Sequence, residues 1–337
     1  MEPAFASLPN GNRLKDPYAI LRNSLPIDQK ELRELQNKLE DTSEDLRGSR
    51  WSAISKATSR SQFLVSNKKN QILDSIPEEN KENAANLLSN LKEELDELGQ
   101  IANEKNKVSF LDVRRQSLKT IDDIESLLIT KSFPYKIPSE YNNLPRLLGR
   151  ANVEIKTSKG SMNAIIDGYN APLTAGAFID LSMKGFYDGL PINRAEEFFI
   201  LQTGDPKGET IGYIDPDNNE LRRVPLEIRT SSLEDTLYGE TFEDVGLYTE
   251  TPVLPFATLG TLGWAHSDTD LNDGSSQFFF FLYEAELNPA GRNLIDGRNA
   301  AFGYVIEGSE ILNKLGVDDK IISITVLNGS ENLKLKA

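Results

Sequence analysis

The 337-residue sequence has no cysteine, one histidine and three methionines. Without thiols there are no disulfides, thiolate nucleophiles or zinc–thiolate sites, and the redox compartment stays open. No apolar run reaches the roughly 18 residues that a membrane-spanning helix needs, so an integral membrane protein is not expected. The start, Met1-Glu2-Pro3-Ala4, lacks both a basic segment ahead of an apolar core and an Arg/Ser-rich, acid-poor transit composition. The chain therefore reads either as cytosolic or as a mature form whose targeting segment has been removed.

Positive charge is scarce in the second half. Residues 1–148 carry 22 Lys+Arg against 23 Asp+Glu, and the remainder carries 15 against 29, so nearly all of the net −15 belongs there. Such a surface repels phosphate backbones and anionic lipid, which excludes nucleic-acid and membrane-surface binding and favours basic loops as partners.

The halves also differ in period. After an irregular Pro/Asn/Gly-rich opening of fifteen residues, Leu32, Leu35, Leu39 and Leu46 recur at heptad-like spacing from Asp28 onward. A weakly amphipathic, Ser-rich second helix is expected over 49–70. A third starts at Pro77 with Glu78 and Glu79 behind it and runs through Leu87, Leu88, Leu91, Leu95 and Leu98, with Gly99 expected to end or weaken it. A fourth spans Val108 to Leu128. Each leucine run covers only two to three heptads, so an intramolecular four-helix bundle over 1–148 is preferred to a long coiled coil. Pro134 and Pro138 end the helical region in an extended linker.

From Ala151 the period is two: Val153, Ile155 and Thr157, then Met162, Ala164 and Ile166 after the Lys159-Gly160 turn. Helices are expected from Pro172 to Leu181 and near Gly308 to Leu315. Many short strands around two helices predict a closed antiparallel β-barrel over 149–337, with an acidic insertion near 207–250. Asp215–Glu220 and Asp268–Asp273 have a calcium-loop look, but Glu220 stands where the turn needs Gly, and Leu226 and Phe279 stand where the last ligand belongs, so no metal is expected.

Four segments come in a specific order: Ile192–Pro206, Tyr238–Asp244, Gly274–Phe281 and Asp296–Gly303. Together they make residues 151–327 resemble a cyclophilin, a peptidyl-prolyl cis-trans isomerase fold that uses no cofactor. Position by position, the resemblance implies that Arg194 is the catalytic cation and Gln202 the residue that orients it. Phe199, Ile200 and Phe279 would wall the proline pocket, and Ala265 and Gln277 would hold the peptide backbone.

Four departures accompany the match: Leu294 stands at the family's usual groove Trp, Ile295 at its neighbouring Leu, Asn299 at its usual His, and His266 at its usual Asn. They predict a groove that binds peptide with weak or absent turnover. His266 reads either as a solvated loop residue or as a switch of groove charge between pH 5 and 7.

Over the full length the chain resembles multidomain cyclophilins of the plant thylakoid lumen, in which a helical bundle of the PsbQ type precedes the cyclophilin domain. That resemblance implies a chloroplast lumenal factor for photosystem II assembly. Its partners would be lumenal loops of photosystem II subunits, and the helical module would contact the groove within the chain.

Overall fold

In the computed structural model, residues 15–129, 133–206, 208, 211–216, 218–283 and 293–335 are described. The chain divides into two compact units, residues 25–132 and residues 1–24 together with 133–337. Among the described residues no helix is long and apolar enough to cross a membrane.

The smaller unit is helical because its apolar residues fall on one stripe per helix. The first helix of the chain, α1 (Pro17–Asn23), belongs to the larger unit, while α2 (Lys30–Arg47), α3 (Trp51–Asn67), the short α4 (Lys69–Asp74), α5 (Lys81–Glu104) and α6 (Lys107–Ser126) make the smaller one. Helix α2 contacts α3 and α6, and α5 contacts α3 and α6, so the four long helices close a ring. Leu32, Leu35, Leu39, Leu88, Leu91, Leu95, Leu98, Phe110, Ile121 and Ile124 fill its centre.

Gly99 neither ends nor breaks α5, because it marks a close helix approach. A Cβ there would lie 2.9 Å from Gln62 Nε2 of α3, and that amide donates to the Leu95 carbonyl and Asp96.

The larger unit is built on an eight-stranded antiparallel sheet. Its strands are β1 (Arg150–Thr157), β2 (Gly160–Asp167), β3 (Ile192–Glu196), β4 (Ile200–Thr203), β5 (Thr261–Trp264), β6 (Phe278–Phe281), β7 (Ala301–Glu307) and β8 (Ile321–Asn328). They lie in the order β8-β1-β2-β7-β5-β6-β4-β3. The sheet curls until its edges meet, with a bridge between Pro191 and Lys320 and a 2.9 Å hydrogen bond from Ile192 N to the Asp319 carbonyl. A short ladder, Arg146–Leu147 with Leu333–Lys334, ties the two ends of this unit together.

Helix α7 (Pro172–Met183) enters through Pro172, and eleven of its twelve residues are buried, as expected of a helix apolar on every side. The second expected helix is a 3-10 turn, Ser309–Lys314, entered through Gly308 at φ 76°.

Two segments fall elsewhere than the sequence pattern puts them. Helix α1 packs with the sheet, burying Ile20 and Leu21 in its core. Arg150 donates to the Leu21 carbonyl, to Ser24 Oγ at 3.0 Å and to Asp167 Oδ2 at 2.9 Å, while Asn170 Nδ2 donates to the Ser24 carbonyl at 2.9 Å. Residues 133–148 likewise belong to the sheet unit, so the contacts divide the chain at 24/25 and 132/133 rather than at 148/149.

The insertion clasps α7 at both ends. Arg222 Nη2 meets Asp180 at 2.7 Å near its C-terminus, both side chains being buried. At its N-terminus Glu227 accepts from Thr174 N at 2.6 Å and Leu173 N at 3.3 Å. Burial pushes the Glu227 carboxyl up to about 7 against the pull of those amide donors.

Candidate peptide groove

Cross-strand pairing assembles the groove floor. Gly263 lies opposite Phe279, Phe279 opposite Gln202 and Gln202 opposite Arg194, one row across β5, β6, β4 and β3. Residues directly opposite one another share a face, so the aromatic, the amide and the cation look the same way. The intervening residues Phe278 and Phe280 are fully buried in the sheet core. The four-Phe run thus serves core and groove alternately.

Gly263 makes room for the floor: a Cβ there would lie 2.2 Å from the Phe279 ring. Phe279 stacks on Phe256 with centroids 5.7 Å apart and planes 14° from parallel. With Phe199 and Ile200 it lines a cavity of about 680 Å³ that also takes in Arg194, Gln202, Ala265, His266, Ile295 and Asn299. Thr241, Ser267, Asp268, Leu271 and Arg298 complete the walls; Thr241 and Arg298 fall in the Tyr238–Asp244 and Asp296–Gly303 segments, and Asp268 and Leu271 in the acidic Asp268–Asp273 loop.

Gln277 lies in an adjoining cavity of about 210 Å³, shared with Gln202, Ala265 and His266 and extended by Ile211 and Asp273. Leu294 lines neither cavity and is 74% exposed. It stands in a turn directly before Ile295, which lines the groove.

The polar groups of the groove are tied to one another. Arg194 Nε donates to Glu196 Oε1 at 2.6 Å, and Nη2 meets the same oxygen. Gln202 Nε2 donates to Gln277 Oε1 at 2.7 Å, and Gln277 Nε2 donates to Asp205 Oδ1 at 3.2 Å. His266 spans two walls, with Nδ1 2.8 Å from its neighbour's carbonyl at Ser267 and Nε2 3.0 Å from the Arg298 carbonyl. Asn299 Nδ2 lies 3.3 Å from the same Nε2. A neutral imidazole donates to only one of those carbonyls, whereas an imidazolium donates to both.

The turn between β3 and β4 holds Phe198 at φ 62°, a left-handed conformation that is uncommon for a bulky residue. Its side chain is 53% exposed.

The sequence matches two families in tandem. Residues 16–129 match "Peptidyl-prolyl cis-trans isomerase CYP38-like, PsbQ-like domain", and residues 152–325 match "Cyclophilin type peptidyl-prolyl cis-trans isomerase/CLD". A putative thylakoid lumen peptidyl-prolyl cis-trans isomerase of Synechocystis sp. is 45% identical over 98% of this chain and 86% of its own length. The chloroplastic peptidyl-prolyl cis-trans isomerase CYP38 of Arabidopsis thaliana is 37% identical over 98% of this chain and 78% of its own. A crystal structure of a Cryptosporidium parvum cyclophilin, 22% identical, covers 52% of this chain and 99% of that one at a TM-score of 0.38. By its two matched regions and its full-length relatives, this chain belongs to the cyclophilin-type peptidyl-prolyl cis-trans isomerase family, with a PsbQ-like helical domain ahead of the cyclophilin domain.

Proposed function

We propose that this protein is an assembly chaperone of the thylakoid lumen that holds proline-containing loops of photosystem II subunits in its groove, with weak or absent isomerase turnover. Rotation about a prolyl bond is slow because amide resonance raises a barrier of roughly 18–20 kcal/mol. A cyclophilin groove lowers it without a nucleophile. An apolar floor removes the water that favours the planar amide, and a cation donates a hydrogen bond to the prolyl nitrogen as its lone pair localises.

Here the floor is present in Phe199, Ile200 and Phe279. The observation that carries the reading is that Asn299, where the resemblance expects a His, stands in the groove wall with its amide 3.3 Å from His266 Nε2; the Nε hydrogen bond from Arg194 to Glu196 adds a smaller restraint. A groove of this kind retains its grip on proline and loses part of its leverage on the transition state.

The lumenal location is supported by the names of the thylakoid lumen and chloroplastic relatives. The photosystem clients are inferred from the PsbQ-like domain. The chain's acidity, net −15, suits basic loops.

A second reading, an active lumenal foldase, is favoured by the intact row of Gly263, Phe279, Gln202 and Arg194. A protease-coupled cis/trans assay with an Arg194→Ala control separates the two. Turnover near background in both proteins is expected; strong turnover that vanishes in the variant would establish the foldase instead.

A further inference from the structure

We infer that Glu196 is a positioning residue that attenuates the isomerase, acting on Arg194 through a carboxylate clamp built into strand β3. This deepens the proposed function and rests on its reading of Arg194 as the catalytic cation.

Residues i and i+2 of a strand project from the same face. Arg194 and Glu196 are such a pair on β3, the last strand in the sheet order, and the bonds that join β3's side to the opposite edge lie at Pro191 and Ile192, ahead of both residues. Gln202 stands opposite Arg194 and Ile200 opposite Glu196, so the two share a strand face, and the carboxylate lies beside the guanidinium where the groove meets a neighbouring cavity lined by Glu196 and Phe198. One carboxylate oxygen takes both Nε, at 2.6 Å, and Nη2. Gln202, the residue opposite, gives its amide N–H to Gln277.

An anionic oxygen is a stronger acceptor than a prolyl nitrogen, so substrate must compete for the donor. Negative charge beside the guanidinium also weakens the positive field that the twisted transition state uses. Both effects fall on turnover, because the proline ring is bound by the apolar floor.

Both side chains are about half exposed, 51% and 46%. An exposed ion pair is a modest restraint, so its release is expected to change turnover by about two- to fivefold. It is also sensitive to salt. Glu197, the next residue, gives a control of equal charge; among the described residues no hydrogen bond from Arg194 runs to it.

The test is two-dimensional exchange NMR on the full chain with a capped, uncharged Ala-Ala-Pro-Phe peptide, comparing wild type, Glu196→Gln, Glu197→Gln and Glu196→Gln/Arg194→Ala. Glu196→Gln is expected to raise the exchange rate at saturating peptide about two- to fivefold and to leave Kd within about twofold. Glu197→Gln should match wild type, and the double variant should return to background. Added salt should raise the wild-type rate and leave the Glu196→Gln rate flat.

A Glu196→Gln rate at or below wild type overturns the inference, as does an equal gain from Glu197→Gln. If every protein stays at background, the clamp is refuted while the holding function stands. Strong wild-type turnover that rises further in Glu196→Gln refutes the holding function and leaves the clamp.

Discussion

The two units are held together in different ways. The helical unit rests on one repeated device, leucines every three or four residues meeting at a common axis, and its centre is almost entirely aliphatic. The sheet unit rests on unlike devices: an aromatic core, a nearly closed sheet, and buried charges such as Arg222–Asp180 and Glu227 that clasp α7. Repetition gives stability that depends little on any one polar contact. Polar clasps reach across long stretches of sequence, from Arg222 to Asp180 and from Glu227 to Thr174, while strand pairing sets the register of the groove.

The contrast predicts where each unit breaks. In the bundle, Leu95→Ala removes a fully buried side chain from the central stripe. It should cost about 2–5 kcal/mol in denaturant unfolding followed by helical signal, with little change in groove affinity for peptide. A comparable loss of peptide affinity would show that the two units do not divide the work in this way.

In the sheet unit, Glu227 makes stability depend on pH. Its folded-state value of about 7 lies above the ordinary 4.5 because burial penalises the charged form. The native state therefore holds this proton more tightly than the unfolded chain. Its contribution is fully present below about pH 4.5 and is lost as pH rises through 7. The loss is about 3 kcal/mol by the size of the shift. Burial raises the phenols of Tyr141 and Tyr238, and the nearby Glu227 adds a smaller push to each. Urea unfolding at pH 5 and 7 should show this slope in wild type and lose it in Glu227→Gln; a slope that survives assigns the pH dependence to another group.

The smallest effect belongs to His266, whose two ring nitrogens face carbonyls on separate walls of the groove. His266→Ala should lower peptide affinity by less than about threefold, because its ring bonds the protein's own carbonyls at the exposed rim of the groove. A loss of about tenfold or more would make it a direct ligand of the peptide.

Legibility in the sequence follows the same division. The four long helices were readable because Leu32 to Leu46 and Leu88 to Leu98 repeat their pattern over several turns. Helix α1 was not, since seven residues are too few to show a period and its anchors, Arg150 and Asp167, lie more than a hundred positions away. The groove row came from the resemblance, which assigned Arg194, Gln202 and Phe279 position by position; strand pairing sets the three side by side on one face.

The clasp of α7 left no local signal, because Glu227 and Arg222 meet their partners only through the fold. The Arg194–Glu196 clamp was visible only as flanking charge, and the strand made it a contact.

The central claim is that the groove holds proline better than it turns it. Peptide-observed NMR with the capped proline peptide reads binding and exchange in one sample of full-length protein. The account predicts saturable binding that Arg194→Ala leaves within about threefold, with prolyl exchange still close to the uncatalysed time of tens of seconds. Exchange faster by orders of magnitude that collapses in Arg194→Ala would contradict it.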